Sequence, residues 1–139
     1  MDIYKYMHLS ERTDVTYPCQ NPNLPKDEKI FNEQLLHASL GLTTESAEFA
    51  DQLKRHLFYQ KPLDKINLVE ELGDIMWYFA VACRALKVSP EEILDKNIEK
   101  LKNRYPEGFN PQDYDNRKID EEREILNKTS FRGGRNDKC

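Results

Sequence analysis

Long apolar segments are absent from this chain of 139 residues, and its mean hydropathy is low at -0.84. No run approaches the roughly 18 consecutive apolar residues that a membrane-spanning helix needs. The first nine residues include Asp2, Lys5 and His8, where a secretory signal would be apolar. The sequence therefore predicts a cytoplasmic protein that does not enter a membrane.

Paired cysteines and an excess of basic charge are also missing. Cys19, Cys83 and Cys139 are odd in number and far apart, which predicts reduced thiols and neither a disulfide framework nor a zinc site. Lys and Arg total 21 against 25 Asp and Glu, so the net charge is -4. Nucleic acids and anionic membranes require a basic face, and we expect neither as a partner. An acidic protein can still bind a polyphosphate if a divalent metal ion neutralises its carboxylates.

Strand patterns are scarce, and helical patterns fill most of the chain. Prolines and asparagines interrupt residues 14–26, and residues 132–139 are typical of a mobile tail. Asp64 and Ser89 are expected to cap the helices that follow them. Helices are expected over about 2–13, 27–59, 64–87, 90–105 and 114–127.

Short connections make neighbouring helices antiparallel, so the expected fold is an all-α antiparallel helical bundle. Residues 1–110 are expected to form the main domain, with a helical extension and tail over 111–139. A chain of this size has a thin core when it stands alone. We therefore expect the bundle to be completed by oligomerisation.

Two pairs of acidic residues occupy matching positions on consecutive long helices. At about 100° per residue, Glu45 and Glu48 flank the apolar stripe of the first helix, and Glu71 and Asp74 flank that of the second on the corresponding side. Both pairs lie at similar distances from the connection between the helices. Antiparallel packing should therefore bring four carboxylates together. One such pair is usually just a solvated helix face, but two matching pairs are difficult to explain in that way.

Clustered carboxylates destabilise one another unless a cation lies between them. Carboxylate and water ligands suit Mg²⁺, with Mn²⁺ as a substitute. The pattern therefore predicts a metal site at this edge of the helix pair. Gly41 and Gly73 lie on or near the same flank and would let a ligand or another helix approach closely. Glu70 lies farther from the apolar stripe than the paired acids, is expected to be a solvated or secondary acid, and is the natural control.

These segments resemble the MazG-type all-α nucleotide pyrophosphohydrolases. Their hallmark is an ExxE motif on one helix and an ExxD motif on the next, as in GLTTESAE (residues 41–48) and EELGDIMWY (residues 70–78). The segment NIEKLKNRYP, residues 97–106, is similar to the third core helix of that family. The resemblance implies a homodimer or homotetramer that binds Mg²⁺ through Glu45, Glu48, Glu71 and Asp74.

The resemblance also implies the reaction. Metal ions hold a nucleoside triphosphate while an activated water attacks the α-phosphorus and releases pyrophosphate. Our choice for the base that accepts the proton of this water is Glu48, and the alternative is that all four acids are ligands only. Candidate substrate contacts are Asn97, Lys100 and Arg104 on one flank of the third long helix, with Lys54 and, for base stacking, Tyr78.

Other readings stay open. Deoxynucleoside triphosphates are the expected substrates, but a dUTP or phosphoribosyl-ATP pyrophosphatase of the same superfamily would share the acids and the metal. A protein of another class, a non-catalytic helical adaptor, would oligomerise through the apolar run 75–83. The adaptor predicts no metal dependence and no effect of replacing Glu71.

Overall fold

The computed structural model describes residues 1–14, 23 and 25–130, without the side chains of 26–32. The predicted loop over 14–26 falls mainly outside these residues, and so does the predicted tail over 132–139. The described part of the chain contains helices and no strand, which confirms the all-α class. Its elements are α1 (Ile3–Ser10), a 3-10 helix (Glu11–Thr13), α2 (Lys26–Tyr59), α3 (Lys65–Leu86), α4 (Pro90–Arg104), α5 (Pro111–Asp115) and α6 (Ile119–Asn127). Of the helices described, none has the length and apolar character needed to cross a membrane.

Helices α2 and α3 form the main antiparallel pair. Helix α2 ends at Gln60, which adopts a left-handed conformation with φ of 54° and donates its N–H to the Arg55 carbonyl. The predicted cap Asp64 is confirmed, because its Oδ1 accepts hydrogen bonds from the N–H groups of Ile66 and Asn67 at 3.0 and 3.1 Å. The connection between these two caps is short, so α3 folds back along α2.

Small side chains form the buried core of this pair, namely Ala38 on α2 and Ala80, Val81 and Cys83 on α3. Burial raises the pKa of the Cys83 thiol to about 11, so the thiol stays protonated at neutral pH. Part of the apolar surface remains uncovered: in the single chain, Leu57 is 68% exposed.

Helix α1 and the 3-10 helix are attached to α3 by side-chain hydrogen bonds. Arg84 donates to the Ser10 hydroxyl at 3.0 Å and to the Asp14 carboxylate at 2.7 Å. The Trp77 indole N–H donates to the Thr13 hydroxyl at 2.8 Å. Arg84 and Asp14 are largely buried, which strengthens their ion pair relative to one in solvent. The N-terminal helix is therefore an integral part of the first compact unit.

The chain divides into two compact units, Met1–Leu86 and Lys87–Cys139. In the second unit, the predicted cap Ser89 is confirmed, since its Oγ accepts from the Glu92 N–H at 3.1 Å. The predicted division at residue 110 stays a prediction.

The final helical segment, expected over 114–127, is corrected by the structure. It consists of two helices, α5 and α6, and at the end of α5 the Gln112 carbonyl accepts hydrogen bonds from both the backbone N–H of Asn116, at 3.0 Å, and its side-chain amide, at 2.8 Å. The start was missed because Asn110, whose Oδ1 accepts from the Gln112 N–H at 3.0 Å, caps α5 before the predicted beginning.

A buried ion pair joins α6 to α4 in this second unit. Both oxygens of Glu122 accept hydrogen bonds from Arg104, at 2.7 and 2.6 Å, and Arg117 adds a third bond at 2.8 Å. The Arg104 bonds, followed by the Arg117 bond, lower the pKa of Glu122 to about 2. The carboxylate is therefore ionised and fully compensated at neutral pH.

Candidate metal centre

Three of the four predicted acids converge between α2 and α3. Glu45, Glu71 and Asp74 each offer a carboxylate oxygen, and these oxygens all lie within 4.8 Å of one another. Glu71 is buried, Glu45 is half-buried and Asp74 is exposed, so the cluster is open on one side. Around an octahedral Mg²⁺ ion, opposite oxygens are about 4.2 Å apart and neighbouring ones about 3 Å, and of three ligands no more than one pair can be opposite. The three side chains would therefore have to move closer together to enclose such an ion.

A glycine allows α2 and α3 to come close together beside this cluster. A Cβ atom at Gly41 would lie 2.1 Å from the Tyr78 ring, so only glycine leaves room for that ring one turn before Glu45. The close approach predicted at Gly41 is thus confirmed. At Gly73 a Cβ atom would meet nothing within 4 Å, so no neighbour from the described chain occupies that side.

The electrostatics of the cluster are unfavourable without a cation. The pKa of Glu45 is raised, first by burial and then by the charge of Glu48, while a hydrogen bond from Thr44 opposes the rise. Asp74 and Glu71 raise it further. Among the ion pairs of the described residues, none involves Glu45, Glu71 or Asp74. The three acids therefore lack a compensating positive charge from the described part of the protein.

Asn67 is a residue of this site that the sequence reasoning missed. Its Nδ2 donates to Oε1 of Glu71 at 2.7 Å, and it lies 3.5 Å from the Glu70 carboxylate. The shorter bond restrains one oxygen of Glu71 and leaves the other available to a ligand. Hydrogen bonds of this kind commonly orient metal-binding carboxylates. The available signal was its position one turn before Glu71 on the same helix.

The fourth predicted acid, Glu48, lies outside the three-acid cluster and is exposed. It lines an open groove of about 630 Å³ between α2 and α3, together with Asn67 and the candidate substrate contact Lys54. Lys54 forms an exposed ion pair with Asp51. The control residue Glu70 is exposed, as its position predicted.

The candidates on the third long helix belong to the second compact unit. Asn97 is exposed on α4 and Lys100 is half-buried. Arg104 donates two hydrogen bonds to Glu122, and its side chain is only 13% exposed. A phosphate would have to displace that carboxylate, which makes the predicted contact costly for Arg104. These three contacts stay predictions.

Tyr78 is half-buried beside the cluster and surrounded by other rings. Its ring packs edge-to-face with His37 and Trp77, at centroid distances of 5.4 and 4.9 Å, and covers Gly41. These packing contacts are sufficient to explain why an aromatic residue occupies position 78. Its predicted role in stacking on a base stays a prediction.

The described residues form helices only, and three carboxylates cluster between two antiparallel helices without an ion pair to any other described residue. These features define a helical protein that is suited to binding a divalent metal ion. Residues 33–109, more than half of the chain, match the MazG nucleotide pyrophosphohydrolase domain. The chain therefore belongs to the MazG nucleotide pyrophosphohydrolase family, and this membership implies a nucleotide substrate.

The chain is also similar in sequence to a bacteriophage protein. The chain is 32% identical over 89 residues to the Gene 37 protein of Mycobacterium phage L5, a match that covers 61% of this chain and 78% of that protein. The name of that relative says nothing about activity. No solved structure matches the chain.

Proposed function

We propose that this protein is a magnesium-dependent nucleoside triphosphate pyrophosphohydrolase. It converts a (d)NTP and water to the (d)NMP and pyrophosphate, and deoxynucleotides are its expected substrates. The observation that carries the proposal is the convergence of Glu45, Glu71 and Asp74, none of which forms an ion pair with another described residue. Membership of a nucleotide pyrophosphohydrolase family supplies the matching chemistry.

The residues present fit the proposed ion. Glu45, Glu71 and Asp74 offer only carboxylate oxygens, the ligands that Mg²⁺ and Mn²⁺ prefer, and Asn67 orients one of them. Bound magnesium would polarise the phosphoryl oxygens, lower the pKa of a bound water and offset the charge of the pyrophosphate leaving group.

Glu48 is the proposed base that accepts a proton from the attacking water. It is exposed and lies outside the three-acid cluster, yet it is near enough for its charge to raise the pKa of Glu45. A carboxylate that is not a ligand keeps both oxygens free to accept a proton. In the alternative, Glu48 is a fourth ligand.

Lys54 is the best supported of the proposed phosphate contacts, because it lines the groove beside Glu48. Its exposed ion pair with Asp51 is weak enough for a phosphate to compete with it. Asn97 and Lys100 are further proposed contacts, and Arg104 is the least supported because it is paired with Glu122.

The proposed enzyme is a homodimer or homotetramer, with no nucleic-acid or membrane partner, and its cytoplasmic location stays a prediction. Extended apolar surface on a soluble chain usually marks an interface. The large apolar side chains exposed on α2 and α3 of the single chain include Leu36, Leu40, Leu57, Ile66, Val69 and Leu72.

Pyrophosphate release from a panel of ribo- and deoxyribonucleoside triphosphates, with and without magnesium, tests the proposal. We expect magnesium-dependent turnover that Glu71→Gln lowers about a thousandfold, because a metal contributes several kcal/mol to such reactions. Glu70→Gln is a matched control on the neighbouring residue, whose side chain is exposed, and should keep nearly full activity.

The same panel separates the alternatives. Turnover confined to dUTP or to phosphoribosyl-ATP would identify one of the related pyrophosphatases. A folded protein that turns over no nucleotide and binds no magnesium would contradict the catalytic proposal and favour the helical adaptor.

A further inference from the structure

Tyr6 brings the N-terminal helix α1 to the edge of the acidic cluster. Its hydroxyl donates to the carbonyl of Gly73, the residue before Asp74, at 3.4 Å. The pKa of the Tyr6 phenol is raised, first by burial and then by the charge of Asp74. Tyr6 lies outside residues 33–109, which match the family. A residue beyond the shared domain therefore borders the candidate metal centre on the Asp74 side.

The Tyr6 hydroxyl is weakly engaged. Hydrogen bonds between hydroxyl and carbonyl oxygens usually span about 2.5–3.0 Å, whereas this one is 3.4 Å long. The surface next to it is open, since Asp74 is exposed and a Cβ atom at Gly73 would meet nothing within 4 Å. A ligand that approaches the acids from this side would find a donor and space beside it.

The position of Tyr6 does not depend on its own hydroxyl. Helix α1 is attached to α3 through Arg84, which donates to the Met7 carbonyl at 3.3 Å and to the Ser10 hydroxyl at 3.0 Å. Trp77 holds the following 3-10 helix through Thr13 at 2.8 Å. The phenol is thus presented from a fixed element, which is the arrangement that makes a hydrogen-bond donor effective in binding.

We propose that α1 forms one wall of the nucleotide site and that the Tyr6 hydroxyl donates a hydrogen bond to a phosphate oxygen of the bound triphosphate. The proposal rests on the proposed function. A charged phosphate oxygen is a stronger acceptor than the Gly73 carbonyl, so the hydroxyl turns from the peptide to the substrate when the substrate binds. Tyr6 is then a substrate-binding residue contributed by the N-terminal helix.

The test compares Tyr6→Phe with Tyr4→Phe, which removes the same group from the same helix. Both variants and the wild type are assayed at saturating magnesium with triphosphates of several bases, well below their melting temperatures. We expect Tyr6→Phe to raise KM about tenfold, the effect of one hydrogen bond to a charged group. The rise should be equal for every base, with kcat and the melting temperature little changed. Tyr4→Phe should behave like the wild type.

Three results would overturn the assignment. An unchanged KM would mean that the hydroxyl does not touch the substrate. A rise in KM for one base only would indicate contact with the base and not with phosphate. A lower melting temperature with unchanged kinetics would mean that the hydroxyl serves only the packing of α1. An inactive wild type would refute both proposals, whereas an active wild type that needs Glu71 but not the Tyr6 hydroxyl would refute this one alone.

Discussion

Two buried glutamates, Glu71 in the first compact unit and Glu122 in the second, have nearly equal burial and opposite surroundings. They are 4% and 3% exposed. Glu122 accepts hydrogen bonds from Arg104 and Arg117. Glu71 accepts one from the neutral Asn67 and lies among other carboxylates.

The difference supports the proposal that Glu71 binds a metal ion, whereas Glu122 stabilises the fold. A buried carboxylate requires compensation, and the arginines provide it for Glu122 within the folded chain. Glu71 has a neutral amide and no arginine or lysine partner in the described part of the protein, which supports the proposal that a divalent cation binds beside it. Burial alone would not have distinguished the two roles.

The largest expected effect on stability is at Glu122. Glu122→Gln leaves the buried Arg104 guanidinium without its carboxylate and should reduce the free energy of unfolding by about 3 kcal/mol, with little effect on activity below the transition. Glu71→Gln should have the reverse effect in the absence of magnesium: equal or higher stability, because it relieves repulsion between like charges. Urea unfolding followed by circular dichroism measures both. If Glu71→Gln lowered the free energy of unfolding and Glu122→Gln left it unchanged, the contrast between the two glutamates would be wrong.

The two regions should also respond to acid in opposite directions. The folded pKa of Glu122, about 2, lies below the ordinary 4.5, so its stabilisation is present above pH 4.5 and is lost as pH falls towards 2. The folded pKa of Glu45 is raised, so its ionisation opposes folding above that pKa, and the penalty disappears as pH falls towards 4.5.

Unfolding free energies measured between pH 7 and pH 2 without magnesium test this contrast. Glu122→Gln should abolish the loss of stability that the wild type shows as pH falls from 4.5 towards 2. Glu45→Gln should abolish the gain of stability that the wild type shows as pH falls towards 4.5. Identical pH profiles for the wild type and both variants would contradict the assigned directions.

A smaller effect is expected at Asn67. Asn67→Ala frees the Glu71 carboxylate to rotate, so the magnesium concentration for half-maximal activity should rise about tenfold. Asn103→Ala is a matched control, since Asn103 also donates to a glutamate, Glu121, at 2.9 Å in the second unit. A magnesium titration of activity compares the two variants. Equal magnesium dependence in both would show that Asn67 does not orient a metal ligand.

The last prediction compares the two glycines near the acidic cluster. Gly41→Ala should lower the melting temperature, because its Cβ would overlap the Tyr78 ring, with a cost of about 1–3 kcal/mol. Gly73→Ala meets open space and should stabilise the helix by up to about 1 kcal/mol. Thermal unfolding distinguishes them, and a reversed order would mean that the surroundings of the two positions are misassigned.

Much of the helical framework was predictable because its signals are local. Asp64 and Ser89 cap their helices as expected. A cap is a local signal, because its side chain accepts hydrogen bonds from N–H groups no more than three residues away. The break between α5 and α6 was not predictable from periodicity alone.

The sequence predicted where the acidic cluster lies but not which of the four acids come together in it. Helical periodicity indicated the flank on which Glu45, Glu48, Glu71 and Asp74 lie, and the structure brings together three of them. Whether an acid joins the cluster depends on how far α2 is rotated and shifted along its axis relative to α3. A helical period of about 100° per residue does not define that rotation or shift to within the length of a side chain.

By itself the sequence determined the long helices, the caps at Asp64 and Ser89, the antiparallel pairing and the family, because these follow from local patterns and short connections. Only the tertiary structure decided which acids meet and which are neutralised. The Tyr6 bond to Gly73 spans 67 residues, and the Arg104 bonds to Glu122 span 18. Such partners are selected by how helices pack, and no pattern within one helix records them.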